Sequence, residues 1–419
     1  MKRRRFLARA VQALLGGVAA AGPPGGANAA PGSRQRAHRM AQPAEQPSTE
    51  ASPVTLFLCG DVMTGRGIDQ ILPHPSAPHL FEPYVSSALD YVELAERAYG
   101  PIVRPAKFGY VWGDALAELE RVQPDARIVN LETAVTTSED AWPGKGIHYR
   151  MHPGNVPCLS AAKIDCCTLA NNHVLDWGHR GLADTLDTLH GAGIRTAGAG
   201  RDVGEASAPA EITLPGGRRV LVLAYGMESA GVDAAWAAGK ARAGVSFLAN
   251  LSPRTVEAIA RSVRAAKGER DLVVASIHWG GNWGYEVAGD VRAFAQQLID
   301  AAGVDVVYGH SSHHPKGIEV YRDKLILYGC GDFLNDYEGI GGYESFRGDL
   351  TLMYFPTVDA ASGRLLRLGL TAMQTRRFRL NDARDTDMRW LEATLSREGS
   401  KLGTHVEREA ANRLALRWN

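Results

Sequence analysis

From residue 54 onward, apolar runs of strand length alternate with segments whose apolar residues recur at helical spacing. The runs VTLFLC (54–59), ARIVNL (126–131), DCCTLA (165–170), VLVLAYG (220–226), DLVVASIH (271–278), DVVYGH (305–310), LILYG (325–329) and DLTLMYF (349–355) predict strands. Several are apolar throughout, as strands covered on both faces must be. RGLADTLDTLHGAG (180–193), SPRTVEAIARSVRAA (252–266) and DVRAFAQQLIDAAG (290–303) predict helices that close on Gly or Lys. Hairpins are expected at Pro215-Gly216-Gly217 and near Arg322-Asp323, so antiparallel pairs are inserted among βα units. The class is α/β with a mixed sheet, or with two sheets face to face. Residues 385–418 predict a helical tail, and no internal repeat of fixed period is present.

The first 53 residues follow a different pattern. MKRRRFLARA is basic, VQALLGGVAAAG is weakly apolar and too short to span a bilayer, and Ala27-Asn28-Ala29 is a small-x-small cleavage site. These are the three parts of an export signal over residues 1–29. Arg3-Arg4-Arg5-Phe6-Leu7 resembles the twin-arginine consensus, which implies a periplasmic or extracellular destination. Residues 30–53, rich in Pro, Ala, Gln and Ser without an apolar period, read as a disordered linker.

Charge and cysteine usage narrow the function classes. The 419 residues carry 46 Lys+Arg and 46 Asp+Glu, which argues against a nucleic-acid binder. Cleavage after Ala29 would remove five basic residues and no acid, leaving 41 basic against 46 acidic residues. Five cysteines, at 59, 158, 166, 167 and 330, form neither a zinc-finger spacing nor a disulfide framework. Buried thiols are the simplest reading, and a bridge from Cys158 to Cys166 or Cys167 is the alternative in an oxidising compartment.

Chemistry concentrates at the C-terminal ends of the predicted strands, where α/β proteins build ligand sites. Five strands end in Gly60-Asp61, Glu132, Asn171-Asn172-His173, His278 and Gly309-His310-Ser311-Ser312-His313-His314. Any one of these acids could be only a turn or capping residue, and any one histidine only a hydrogen-bonded core residue. Five strand ends converging on Asp, Glu, Asn and His point to one shared site.

The segments CGDVMTGRG, NLETAV, LANNHVLDWGHRGLADTLDTLHGAGIRTAGAG, IHWG and GHSSHHPKGIEVYRDKLILYGCGDFLNDY resemble the successive motifs of the CapA capsule-synthesis family. That family is associated with poly-γ-glutamate capsule production and has a calcineurin-like metallophosphoesterase fold. The resemblance implies a layered α/β/β/α sandwich with mixed sheets over residues 54–375, extended by a helical segment at 376–419. It also implies metal ligands at Asp61, Glu132, Asn172, His278, His310 and His313, with His173 and Asp61 as catalytic residues. Such donors suit Mn, Fe or Zn. The phosphoesterase D-x-H motif is here Asp61-Val62-Met63, and its G-D-x-x-D is here Asn130-Leu131-Glu132, so one ion, two or none are all open. His314 falls outside the family's G-H-x-x-H, and Asp176 reads as a loop brace rather than a ligand.

For an anionic polymer or peptide substrate, Arg66 and Arg150 are the expected carboxylate-binding cations, through a planar donor fork, with a surface ion pair the equal alternative for Arg66. Trp279, Trp283, Tyr285 and Glu286, in the aromatic, Gly-rich loop after His278, are the expected pocket wall, with packing alone as the alternative for the aromatics. The resulting expectation is an exported, metal-dependent hydrolase or transferase acting at a phosphoester or amide in capsule-polymer synthesis, possible partners including a membrane polymer-synthase complex. Two other classes stay open: a metal-free acid/base enzyme such as a peptide epimerase, and a non-catalytic accessory to polymer synthesis.

Overall fold

The computed structural model describes residues 53–419, so the expected signal and all but the last residue of the expected linker lie outside the described residues. In chain order the principal elements begin with β1 (Val54–Cys59), β2 (Ala126–Asn130), β3 (Cys166–Thr168), α1 (Gly178–Gly191) and β4 (Arg195–Ala197). There follow β5 (Ala210–Thr213), β6 (Arg219–Met227), α2 (Pro253–Ala266), β7 (Leu272–His278), α3 (Gly289–Asp300) and β8 (Val306–His310). The chain ends with β9 (Ile318–Tyr321), β10 (Lys324–Leu327), β11 (Leu350–Val358), β12 (Leu365–Arg376), α4 (Asp385–Ser400), β13 (Thr404–Ala410) and β14 (Arg413–Trp418).

Two mixed sheets result. The first runs β13-β14-β12-β11-β1-β2-β3-β4, parallel from β1 to β4 and antiparallel on the other side of β1. The second runs β5-β6-β7-β8-β10-β9, with a parallel centre and an antiparallel hairpin at each edge. The β9–β10 hairpin turns at Arg322 and Asp323, whose φ values of 47° and 62° are those of a two-residue type I′ turn.

Side-chain alternation makes these sheets into layers. In β6 and β7, Val220, Val222, Ala224, Leu272 and Val274 point toward the first sheet and join one core with Leu56, Leu58 and Ile128. The intervening Leu221, Leu223, Tyr225, Val273, Ala275 and Ile277 form a second core with α2 and α3. On the far side of the first sheet, Leu182, Leu186 and Leu189 of α1 close the stack. The layered α/β/β/α sandwich is therefore the architecture found. Among the described residues, no helix is long and apolar enough to cross a membrane.

Two expectations are corrected. The segment 376–419 is helical only over α4, and Thr404–Trp418 is the β13–β14 hairpin that extends the first sheet. In β13 Thr404 and Val406 are buried while His405 and Glu407 are exposed, and in β14 Leu414 and Leu416 enter the core. The Cys158 bridge is absent: all five cysteines are free and buried, and the Cys158 sulfur packs against Met151 Sδ at 3.8 Å. A thiol reagent is accordingly expected to modify none of the five in the native protein and all five in denaturant. Three reactive thiols after denaturation without reductant would mean that a bridge had formed.

Candidate metal centre

The inter-sheet face supplies the site. In β7, Val274, Ser276 and His278 share the face turned toward the first sheet, and in β8 so do Val306, Tyr308 and His310. Parallel register sets His278 directly beside His310. From the first sheet, the chain leaves β1 at Gly60, where an added Cβ would lie 2.0 Å from the Gly331 carbonyl oxygen. Only a glycine allows that approach. It lets Asp61 pair with Asp332 in a short parallel ladder, bringing both carboxylates under the ends of β7 and β8.

Asp61, His278 and His310 each offer a donor atom within 4.8 Å of the others, and all three are buried. Asp61 is fixed by Asn130 Nδ2, which donates to Oδ1 at 2.7 Å, and by the Ser311 N–H, which donates to Oδ2 at 3.0 Å. Ser311 holds φ at 98°, a strained value for a residue with a side chain. Glu132 approaches both His173 Nε2 and His278 Nε2 at 3.8 Å through Oε1, while its buried Oε2 has no partner.

The outer hydrogen bonds of the two imidazoles decide where their lone pairs point. Ser276 Oγ donates to Thr168 Oγ1 at 3.1 Å, so it accepts from His310 Nε2–H at 2.7 Å. His278 Nε2–H donates to Asn172 Oδ1 at 3.1 Å. Both rings thus carry their proton on Nε2, and the two Nδ1 lone pairs face each other at 2.7 Å. Burial pushes the pKa of His310 down to about 3 and that of His278 well below its ordinary value, so neither ring carries a second proton to fill the gap. Burial, with the charge of Asp332 beside it, raises Asp61 to about 7; burial and Asp61 raise Glu132 well above the usual carboxylate range. Two facing lone pairs, three crowded carboxyl groups and an orphaned carboxylate oxygen fit a divalent cation.

His173 has a different role. Its Nδ1–H donates to Asp176 Oδ2 at 2.6 Å, leaving Nε2 toward Glu132. Asp176 also accepts from Lys145 Nζ at 2.5 Å and from the Tyr149 N–H at 2.6 Å, so it braces the loop as expected. Burial brings His173 down to about 4 despite Asp176, which keeps the ring neutral at neutral pH with a lone pair on Nε2.

Of these side chains, Glu132, Asn172, His173, His278 and Asp332 line a cleft of about 880 Å³. Residues 55–337 match the family model described as Bacterial capsule synthesis protein PGA_cap. The chain belongs to this family. A probable polyglutamine synthesis accessory protein of Mycobacterium tuberculosis is 48% identical, over 87% of this chain and 96% of its own length. The capsule biosynthesis protein CapA of Bacillus anthracis is 25% identical over 68% of this chain and 61% of its own. The PGA biosynthesis protein CapA of Bacillus subtilis is 27% identical over 66% and 62%. Among solved structures, a crystal structure described as a novel phosphatase, from Mycoplasma pneumoniae, has a TM-score of 0.40 at 9% identity, covering 78% of this chain and 96% of that one.

In this PGA_cap chain several expected site residues are placed elsewhere. Both ring nitrogens of His313 are taken, Nδ1 by Asp332 at 2.8 Å and Nε2 by Asn282 at 2.9 Å, so it stands beside the cluster rather than in it. Asn172 reaches the cluster through His278. Arg66 is buried between Glu82 and Asp336, with Nη atoms at 2.8 and 2.5 Å from their carboxylates. Arg150 donates to the Ser138 and Ala77 carbonyls and stacks on Trp177. Neither arginine is free for a substrate carboxylate. Of the expected wall, Trp283 lines the cleft, whereas Trp279 is buried with its indole donating to the Tyr328 carbonyl and Glu286 is exposed outside the cleft. His314 turns away, donating from Nδ1 to the Pro315 carbonyl.

Sequence reasoning missed Ser276, Lys145 and Tyr337. The signal for Ser276 was present: a polar residue inside an apolar strand, two positions before His278, must share its face. Ser276→Ala should weaken divalent-metal binding about 10- to 100-fold, the range for an outer-shell partner of a ligating histidine. Titration with a competing chelator measures this, and an unchanged affinity would remove Ser276 from the site.

Proposed function

We propose that this PGA_cap protein is an exported participant in the synthesis of a poly-glutamate-type capsule polymer, and that it carries a divalent-metal site of hydrolase or transferase type. The observation that supports the metal is the pair of facing Nδ1 lone pairs on His278 and His310 beside Asp61, with the unpartnered Oε2 of Glu132 close by. The names of its relatives support the polymer context, and Arg3-Arg4-Arg5 with Ala27-Asn28-Ala29 supports export.

When bound, a divalent ion supplies charge stabilisation to a substrate oxygen. The protein's own groups do the rest. Asp61, His278 and His310 would hold the ion, and Asn130 and the Ser311 N–H keep Asp61 in place. His173 Nε2 accepts or returns a proton at the leaving or attacking atom, its tautomer fixed by Asp176. Because Arg66 and Arg150 are engaged, an anionic substrate would be recognised at the ion and by the other donors that line the cleft.

The M. tuberculosis relative is named an accessory protein, and this supports a second reading, in which the present chain assists polymer synthesis without itself being a catalyst. One experiment separates the two. Protein recovered from outside the cytoplasm is assayed for metal, and an Asp61→Ala, His173→Ala pair of strains is scored for polymer. Bound metal with polymer lost in both strains is the expected result. Unchanged polymer in both would sink the catalytic reading, and protein found only in the cytoplasm would sink export.

A further inference from the structure

Tyr149 and Tyr337 both line the cleft and share a hydroxyl–hydroxyl hydrogen bond of 2.7 Å. Tyr149 lies edge-on to the His173 ring at 4.3 Å between centroids, and Tyr337 edge-on to His313 at 5.5 Å. The pair therefore spans the space between the proton-accepting histidine and the Asp332–His313 side of the cluster. Direction within the pair follows from the next contact. Tyr337 donates to Met63 Sδ at 3.5 Å, so Tyr149 donates to Tyr337. A thioether is a weak acceptor. The Tyr337 proton is thus the one strongly polar hydrogen of this pair not committed to an oxygen or nitrogen.

Its surroundings keep it a donor. Burial first, then the Asp332 charge, raises the Tyr337 pKa well above its ordinary value, so the phenol does not ionise at physiological pH. The Arg66 guanidinium lies 4.5 Å from the Tyr149 ring centroid and 5.7 Å from that of Tyr337, and both rings are held against it. Met63, 1% exposed, sits two residues after Asp61 on the same chain segment, so the hydroxyl is held near the cluster by the backbone that carries Asp61.

We propose that the Tyr337 hydroxyl, relayed from Tyr149, turns from Met63 to donate a hydrogen bond to an oxygen anion of the ligand at the Asp61–His278–His310 site. This rests on the reading of that site as one for an anionic oxygen, either a phosphoryl or a carboxylate group. A preorganised donor aimed at such an oxygen contributes most in a water-poor cleft. Tyr149 holds Tyr337 in position and would act through it.

The test is calorimetric binding of two probes, inorganic phosphate and γ-glutamylglutamate, to the metal-loaded exported protein and to the variants Tyr337→Phe, Tyr149→Phe and Met63→Leu. Tyr337→Phe should weaken whichever probe binds by about 10- to 100-fold, the loss of one hydrogen bond to a charged group. Its metal content and unfolding midpoint should match the wild type. Tyr149→Phe should lose less, and Met63→Leu should bind at least as well as wild type because the hydroxyl is kept. The probe that responds identifies the oxygen as phosphoryl or carboxylate. Wild-type affinity in Tyr337→Phe, or loss of its metal along with the probe, overturns the donor role alone. Binding of neither probe by the wild type overturns the anionic-oxygen reading on which it rests.

Discussion

His310→Ala is expected to lower the affinity for divalent metal by at least about 100-fold, since removing a ligand should cost no less than the upper end of the range for outer-shell partners. The variant deletes one of the two facing Nδ1 atoms and leaves Asp61 and His278 as an incomplete seat. It also strands Ser276 Oγ, which has only Thr168 left to bond. His278→Ala should behave alike, because its Nδ1 is the other half of the pair. Glu132→Gln makes a sharper comparison. If the unpartnered Oε2 serves the ion, the amide should weaken metal binding while the fold is unchanged. Elemental analysis with chelator competition reads all three. Stoichiometric metal in His310→Ala would place the ion elsewhere or remove it from the protein's chemistry.

The residues of this cluster were legible because each ends an apolar strand, and strand ends in parallel sheets meet along one line. His278 and His310 needed only the predicted strands and their alternation; their side-by-side register follows from parallel pairing. Met63 in place of a metal-ligating histidine was equally visible, and the structure adds what faces it, the Tyr337 hydroxyl. Other contacts were not readable because they depend on distant partners. Asp332 meets Asp61 only because Gly60 permits close approach to Gly331, across about two thirds of the chain. His313 was expected as a metal ligand because nothing in the sequence signals that Asp332 and Asn282 bond its two ring nitrogens. At the C-terminus, RLALRW already alternates, but the dense Glu and Arg residues around it resemble a solvated helix face. A period of two weighed against charge composition would have found the hairpin.

Arg66 carries the other large effect, and it concerns stability. Its sequence position five residues after Asp61 suggested substrate binding; in the fold its side chain is 2% exposed, with Glu82 and Asp336 at 0% and 1%. Nη1 also donates to Tyr91 Oη, and the guanidinium stacks 4.0 Å from the Tyr91 ring centroid. Asp336 accepts from Nε, Nη2 and the Gly67 N–H, so the arginine ties the chain after Asp61 to the chain after Asp332. Arg66→Ala would leave two carboxylates buried without their cation, and breaking such a pair from one side costs about 3–5 kcal/mol. Arg66→Lys should recover only part of this, because an ammonium cannot reproduce the bidentate fork on Asp336. Adding Glu82→Gln and Asp336→Asn to Arg66→Met should recover more than Lys does, since the desolvated charges are removed together. Denaturant midpoints across this series measure the effect. If Arg66→Ala kept the wild-type midpoint while losing affinity for phosphate or γ-glutamylglutamate, Arg66 would be a substrate-binding residue and the structural role would be wrong.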